Sequence, residues 1–152
     1  MTIGVDFFKK KTRMNIKEIG ELTIIWHIWD ISGQPYWKEL RPAFYRGARG
    51  ALVIYDIANF ESYENAFVWA REFVRNAGPY PIVLVGNKID LRDKVEGCLT
   101  FDGGLRMAER ISRELSIDVS YVETSALLGI NIDDAFNELA KSIIRYATIR
   151  KA

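Results

Sequence analysis

Cysteine is almost absent from this 152-residue chain: Cys98 stands alone, so an internal disulfide is excluded. Neither sign of charge dominates. Lys and Arg number 21 against 20 Asp and Glu, a formal net charge of +1, which argues against a nucleic-acid or anionic-membrane binder acting through bulk charge. Charges interrupt every apolar run well short of the roughly 18 residues that a spanning helix needs. The opening residues, MTIGVDFFKKKTRMN, have no apolar signal-peptide core, so a cytoplasmic protein is expected. The 4 prolines and 11 glycines are scattered rather than gathered into a linker, and no repeat or low-complexity tract is present. One domain spanning residues 1–152 is therefore expected.

Apolar and aromatic residues are plentiful, at 49% and 12% of the chain, as in a folded domain. Leu22 to Trp29 (LTIIWHIW), Ala51 to Tyr55 (ALVIY) and Ile82 to Val85 (IVLV) are apolar on both faces, the pattern of strands inside a helix-covered parallel sheet. They stop at Asp30, Asp56 and Gly86. Helical stripes lie between and after them. Ala66, Phe67, Ala70, Phe73, Val74 and Ala77 follow a Ser62 N-cap, and Leu105, Ala108, Ile111 and Leu115 form a second stripe. Ile132, Ala135, Phe136, Leu139 and Ile143 form a third, opened by Asn131. A shorter helix is predicted from about Tyr36 to Arg46, and a last strand from Val119 to Glu123. At the start, Ile3 to Met14 and Leu22 to Trp29 meet across Lys17-Glu18-Ile19-Gly20 as a hairpin. The predicted class is α/β, a mostly parallel sheet with one antiparallel edge strand.

Three short segments follow the carboxyl ends of predicted strands, where open α/β sheets place their ligands. In Asp30-Ile31-Ser32-Gly33-Gln34, the carboxylate suits Mg²⁺ held through water, Gly33 lets a backbone N–H approach a terminal phosphate, and Gln34 can orient an attacking water. Alternatively Asp30 only caps the helix near Tyr36. In Asn87-Lys88-Ile89-Asp90, the Asp90 carboxylate can accept from the N1–H and 2-amino group of guanine, a pattern that adenine lacks; the bland alternative is a polar turn. In Glu123-Thr124-Ser125-Ala126, the Ser125 hydroxyl and Ala126 N–H can meet the guanine O6 and brace the loop of Asp90, or form a hydroxyl-capped turn and nothing more.

In this order and spacing the three motifs resemble the small GTPase superfamily (Ras-like), and within it the Rab-like branch. Thr2-Ile3-Gly4-Val5-Asp6-Phe7 is similar to a first switch, and Tyr45-Arg46-Gly47-Ala48-Arg49-Gly50 with Val53, Tyr55 and Asp56 also matches. The resemblance implies a three-layer G domain of the P-loop NTPase type, a molecular switch that binds GTP or GDP and hydrolyses GTP with Mg²⁺. It assigns Thr2 and Asp30 to the metal, Gln34 to catalysis, and Gly33, Asn87, Lys88, Asp90, Ser125 and Ala126 to the nucleotide. It also implies effector and regulator proteins that read Phe7, Trp29 and Phe44, three aromatics whose alternative use is core packing.

The chain departs from the family pattern in several places. The family's phosphate loop G-x-x-x-x-G-K-[ST] has no match, since no lysine here follows a glycine, and the first strand, loop and helix that carry it are expected to be missing ahead of Thr2. A non-enzymatic G-domain remnant acting as an interaction module is the alternative function. Leu127 stands where a lysine commonly packs on the base, and the final residues, TIRKA, carry no cysteine for a prenyl anchor. His27 is expected in the core, and Cys98 has no partner pointing to chemistry.

Overall fold

The computed structural model describes residues 5–31 and 39–151, with side chains through 149. Two compact units divide the chain, Met1–Gly47 and Ala48–Ala152. The α/β class is as predicted, but the strands form two sheets, an antiparallel pair and a three-stranded parallel sheet.

In the first unit β1 (Val5–Ile16) and β2 (Gly20–Ile31) form a hairpin. Its turn is closed by Ile19 N–H donating to Ile16 O at 3.0 Å, and Gly20 at φ 98° starts the return strand, a left-handed conformation that glycine adopts without a Cβ penalty. Strand β2 runs two residues past its predicted end at Trp29, so Asp30 lies within the ladder opposite Asp6. LTIIWHIW is thus not a buried parallel strand. Ile25 is 57% exposed and His27 is exposed too, because among the described residues the two-stranded ribbon has no flanking strand to cover it. His27 meets the Phe7 ring edge-on, with centroids 5.7 Å apart, instead of sitting in a core. Trp26 is buried, its indole N–H donating to Thr12 Oγ1 at 2.9 Å. Of the short helix predicted from Tyr36, residues 36–38 lie outside the described residues and the helix observed is α1, Arg41–Tyr45.

The second unit is a three-layer sandwich. Strands β3 (Ala51–Asp56), β4 (Ile82–Asn87) and β5 (Val119–Glu123) lie parallel in that order. Helices α2 (Phe60–Ala77) and α3 (Phe101–Leu115) are successive crossovers in the same direction and pack beside each other on one face. Helix α4 (Ile132–Lys151) runs across all three strands on the other. Central β4 is buried from Ile82 to Gly86, the continuous apolar run that double coverage requires.

Two helix details differ from the sequence reading. The N-cap of α2 is Asn59, whose Oδ1 accepts from Ser62 N–H at 3.1 Å, while Ser62 Oγ donates to Asn59 O at 2.7 Å and accepts from Asp56 N–H at 3.0 Å. In α3 the buried stripe includes Met107, and Leu105 is 38% exposed. Gly104 supplies the reason: a Cβ there would overlap Tyr121 of β5, so the start of α3 turns its small residues, not Leu105, toward the sheet. No helix among the described residues is long and apolar enough to cross a membrane.

Candidate functional site

The carboxyl ends of β4 and β5 carry two loops that hydrogen bonds fasten together. Asn87 closes β4, and its Oδ1 accepts twice, from Thr124 Oγ1 at 2.9 Å and from Ala126 N–H at 3.0 Å. Lys88 follows at φ 71°, a left-handed step that turns the chain out of the strand and into a single 3-10 turn, Ile89–Leu91. That turn presents Asp90. Ser125 Oγ donates to Asp90 Oδ1 at 2.7 Å and accepts from Leu128 N–H at 3.2 Å. The other Asp90 oxygen has no hydrogen bond among the described residues, so the half-buried carboxylate keeps a vacant acceptor. Backbone bonds from Ile89 N–H to Thr124 O (3.1 Å) and from Thr124 N–H to Gly86 O (2.9 Å) complete the seam.

The β5 loop is held from its far side as well. Ser125 and Ile130 exchange backbone hydrogen bonds at 3.1 and 2.9 Å. Asn131, at φ 61°, opens α4 as expected, its carbonyl accepting from Ala135 N–H at 3.1 Å, and its side-chain amide donates to Glu123 O at 2.9 Å, which ties α4 to the end of β5.

Beneath this seam runs a polar chain that sequence reasoning missed. Arg92, two residues past Asp90, grips Glu123 with two parallel bonds of 2.8 and 2.7 Å and also donates to Leu99 O at 2.9 Å. Tyr121 donates its hydroxyl to Glu123 Oε2 at 2.8 Å. Having spent its one proton there, Tyr121 accepts from Tyr55 across 2.8 Å. Burial pushes the Tyr121 and Tyr55 hydroxyls above the ordinary phenol value, and the bond that Tyr121 donates to Glu123 pushes Tyr121 further. Burial also acts to raise the Glu123 carboxyl, but the Arg92 guanidinium and the Tyr121 hydroxyl outweigh it and hold the group below its usual range. Glu123 in turn raises Arg92. Gly86 and Gly104 make room for this chain, since a Cβ on either would overlap Tyr121. Glu123 stood in a recognised motif; the legible signal for its partner was an arginine in the same turn as Asp90.

Asp56, at the end of β3, adds a further charge. Its Oδ2 pairs with Lys88 Nζ at 3.0 Å and its Oδ1 accepts from Ala58 N–H at 2.8 Å. Asn87, Lys88, Asp90, Ser125 and Ala126 are therefore brought together. Within the protein the Ala126 N–H donates to Asn87 and Lys88 pairs with Asp56. Leu127 is 82% exposed beside them.

The remaining candidates belong to the first unit. Asp30 is exposed near the end of β2, while Thr2, Gly33 and Gln34 lie outside the described residues. No cluster of three His, Cys, Asp or Glu suited to a metal occurs among the described residues. Phe7 and Trp29 are cross-strand partners with ring centroids 4.7 Å apart, and Trp29 meets Phe44 at 5.6 Å. Phe7 and Trp29 are 42% and 48% exposed and Phe44 is half-buried, so the cluster reaches the surface.

The model of the Ras family matches residues 1–145. The chain belongs to the Ras family. Among Ras-family relatives, Ras-related protein Rab11D of Lotus japonicus is 36% identical over 98% of this chain and 63% of its own length. Ras-related protein RABA1a of Arabidopsis thaliana is 37% identical with the same coverage. The Ypt/Rab-type GTPase YPT7 of Saccharomyces cerevisiae is 33% identical over 95% of this chain and 67% of its own. The chain thus spans just under two thirds of the length of the two plant Ras-family proteins.

Proposed function

We propose that this chain is a single G domain acting in the cytoplasm as a guanine-nucleotide-dependent switch of the signalling or trafficking type, which binds GTP and hydrolyses it to GDP with Mg²⁺. The observation that carries the reading is the 2.7 Å bond from Ser125 to Asp90. It fixes the carboxylate at the mouth of the seam and leaves its second oxygen as acceptor, and guanine, unlike adenine, presents two adjacent donors for such a group. The free acceptor on Asp90 therefore fits the base. Asp90 selects it, while Asn87 and Ser125 hold the loops of Asp90 and Ala126 in register. Ala126 N–H reaches the base oxygen by exchanging its bond to Asn87, and Lys88, an ammonium with three donors, keeps Asp56 as one partner while its stem and remaining N–H groups face the nucleotide.

For the metal, Asp30 is an exposed carboxylate of the kind that Mg²⁺ takes one or two at a time, keeping its waters and phosphate oxygens as the other ligands; Thr2 is its proposed companion. When bound, Mg²⁺ supplies charge neutralisation on the phosphates. Gly33 admits a backbone N–H to the terminal phosphate, and Gln34 orients water for in-line attack. Phe7, Trp29 and Phe44 form the surface that effectors and regulators read.

A second reading, an interaction module without nucleotide turnover, is favoured by one observation: Lys88 and Ala126 N–H already have partners within the protein. Titration of GDP, ADP and XDP into the chain, followed through the amides of Ile89, Asp90 and Ala126, separates the two. Preference for GDP over ADP of about 10² or more, abolished by Asp90→Ala, supports the switch. Equal weak binding of GDP and ADP overturns it.

A further inference from the structure

The groove between α2 and α3 lies on the helical face of the second unit, and nothing in the proposed nucleotide chemistry uses it. It encloses about 560 Å³. At one end the helices are pinned by Tyr63, whose hydroxyl donates to Gly103 O at 2.8 Å. In the middle stands Phe67. The Arg110 guanidinium lies 4.2 Å from its ring centroid and that of Arg71 lies 5.9 Å away, so cations from both helices flank one ring and keep N–H groups free at their edges. Around this centre Phe60 is 61% and Val68 48% exposed, with Met107 lining the same groove.

The lining is electrically one-sided. It holds three guanidiniums, Arg71, Arg106 and Arg110, and one carboxylate, Glu64. Arg110 has Glu114 at 3.4 Å; Arg71 and Arg106 form no ion pair among the described residues. Because the whole chain carries only +1, this excess is local. Aromatic side chains and arginines over an apolar floor that includes buried Met107 are the composition of an interface centre.

We propose that the α2–α3 groove is a docking site for an acidic linear segment of a partner protein, one in which an apolar side chain is flanked by carboxylates. The carboxylates meet Arg71 and Arg106, where a guanidinium binds a carboxylate with two parallel bonds, and the apolar side chain covers Phe60 and Val68. Nucleic acid and anionic membrane fit less well, because both call for a broader basic footprint than three cations around an apolar cleft.

The test uses the full chain labelled with ¹⁵N and an amidated peptide of Glu and Asp residues around a central Phe-Leu. The expected result is shifts confined to amides between 60 and 71 and between 103 and 110. The double variant Arg71→Glu/Arg106→Glu, with helix content unchanged by circular dichroism, should weaken binding about tenfold or more. Phe60→Ser should weaken it several-fold, and raised salt should weaken the parent complex. The proposal is overturned if the peptide causes no shifts there, or if an analogue with Gln and Asn in place of the acids binds equally well. It is also overturned if the groove amides respond to phosphatidylserine vesicles or duplex DNA and not to the peptide. Concentration-dependent shifts with a dimer in sedimentation would instead make the groove a contact between copies of this chain.

Discussion

Replacing Arg92 by alanine tests whether the buried polar chain holds the two loops together. The substitution removes two charge-assisted bonds to Glu123 and one to Leu99 O, and it leaves a carboxylate that is 11% exposed with Tyr121 as its remaining donor. Bonds to charged groups contribute about 1.5 to 3 kcal/mol each, and breaking a fully buried pair costs about 3 to 5 kcal/mol. Since the Arg92 side chain is 35% exposed, water screens and partly replaces it, and the loss at neutral pH is discounted to about 2 kcal/mol. With a urea dependence of about 2 kcal/mol per molar, the unfolding midpoint falls by about 1 M. The pH dependence carries the sharper signature. In the parent the Glu123 carboxyl lies below its ordinary value, so its contribution is complete above about pH 4.3 and is lost as pH falls through the folded value. Without Arg92, burial governs and lifts the carboxyl above its ordinary value, so the group's contribution is present below about pH 4.3 and is lost as pH rises through the new folded value. The gap between the two proteins therefore widens as pH rises from the parent's lowered folded value, through about pH 4.3, to the variant's raised one. Urea unfolding by circular dichroism across that range reads it directly. A loss under about 0.5 kcal/mol, or a gap that does not change with pH, refutes the reasoning.

Gly104→Ala sets helix propensity against packing: alanine gains about 1 kcal/mol in a helix, but its Cβ overlaps the Tyr121 ring, so a net loss of about 1 to 3 kcal/mol is expected in thermal unfolding. Asn87→Ala removes the acceptor of two loop bonds and should speed amide exchange at Ala126 by about tenfold, with little change at Val83 in the middle of β4. If the proposed switch holds, Gln34→Leu lowers single-turnover GTP hydrolysis while nucleotide affinity stays within about twofold, because a water-orienting group acts on the way to the transition state. Hydrolysis at the parent rate would remove Gln34 from that role.

Much of the second unit was legible in its residues. The run IVLV, apolar at every position, identified β4 because a strand covered on both faces has no polar side, and Gly86-Asn87 marked its carboxyl end. Leu22 to Trp29 carried the same local signal and misled. What separates the two is the number of neighbouring strands, which periodicity does not record: β4 lies between β3 and β5, whereas β2 pairs only with β1 among the described residues. The Ser62 cap failed for a smaller reason, since Asn59 and Ser62 both suit a cap and only the backbone geometry chose between them.

The sequence by itself determined where most strands and helices would lie, and that Asn87–Asp90 and Glu123–Ala126 would stand at strand ends, because apolar period and turn chemistry act over a few neighbouring residues. Only the tertiary structure decided that Asn87 would bind Thr124 and Ala126, 37 and 39 residues away, and that Tyr55 would meet Tyr121 across a separation of 66. Those contacts depend on the order and register of parallel strands: β4 places Gly86 between Tyr55 of β3 and Glu123 of β5. The glycine leaves room where any other side chain would displace Tyr121. The placement of one missing Cβ is a three-dimensional fact, and it lets the buried chain from Tyr55 to Arg92 assemble under the loops.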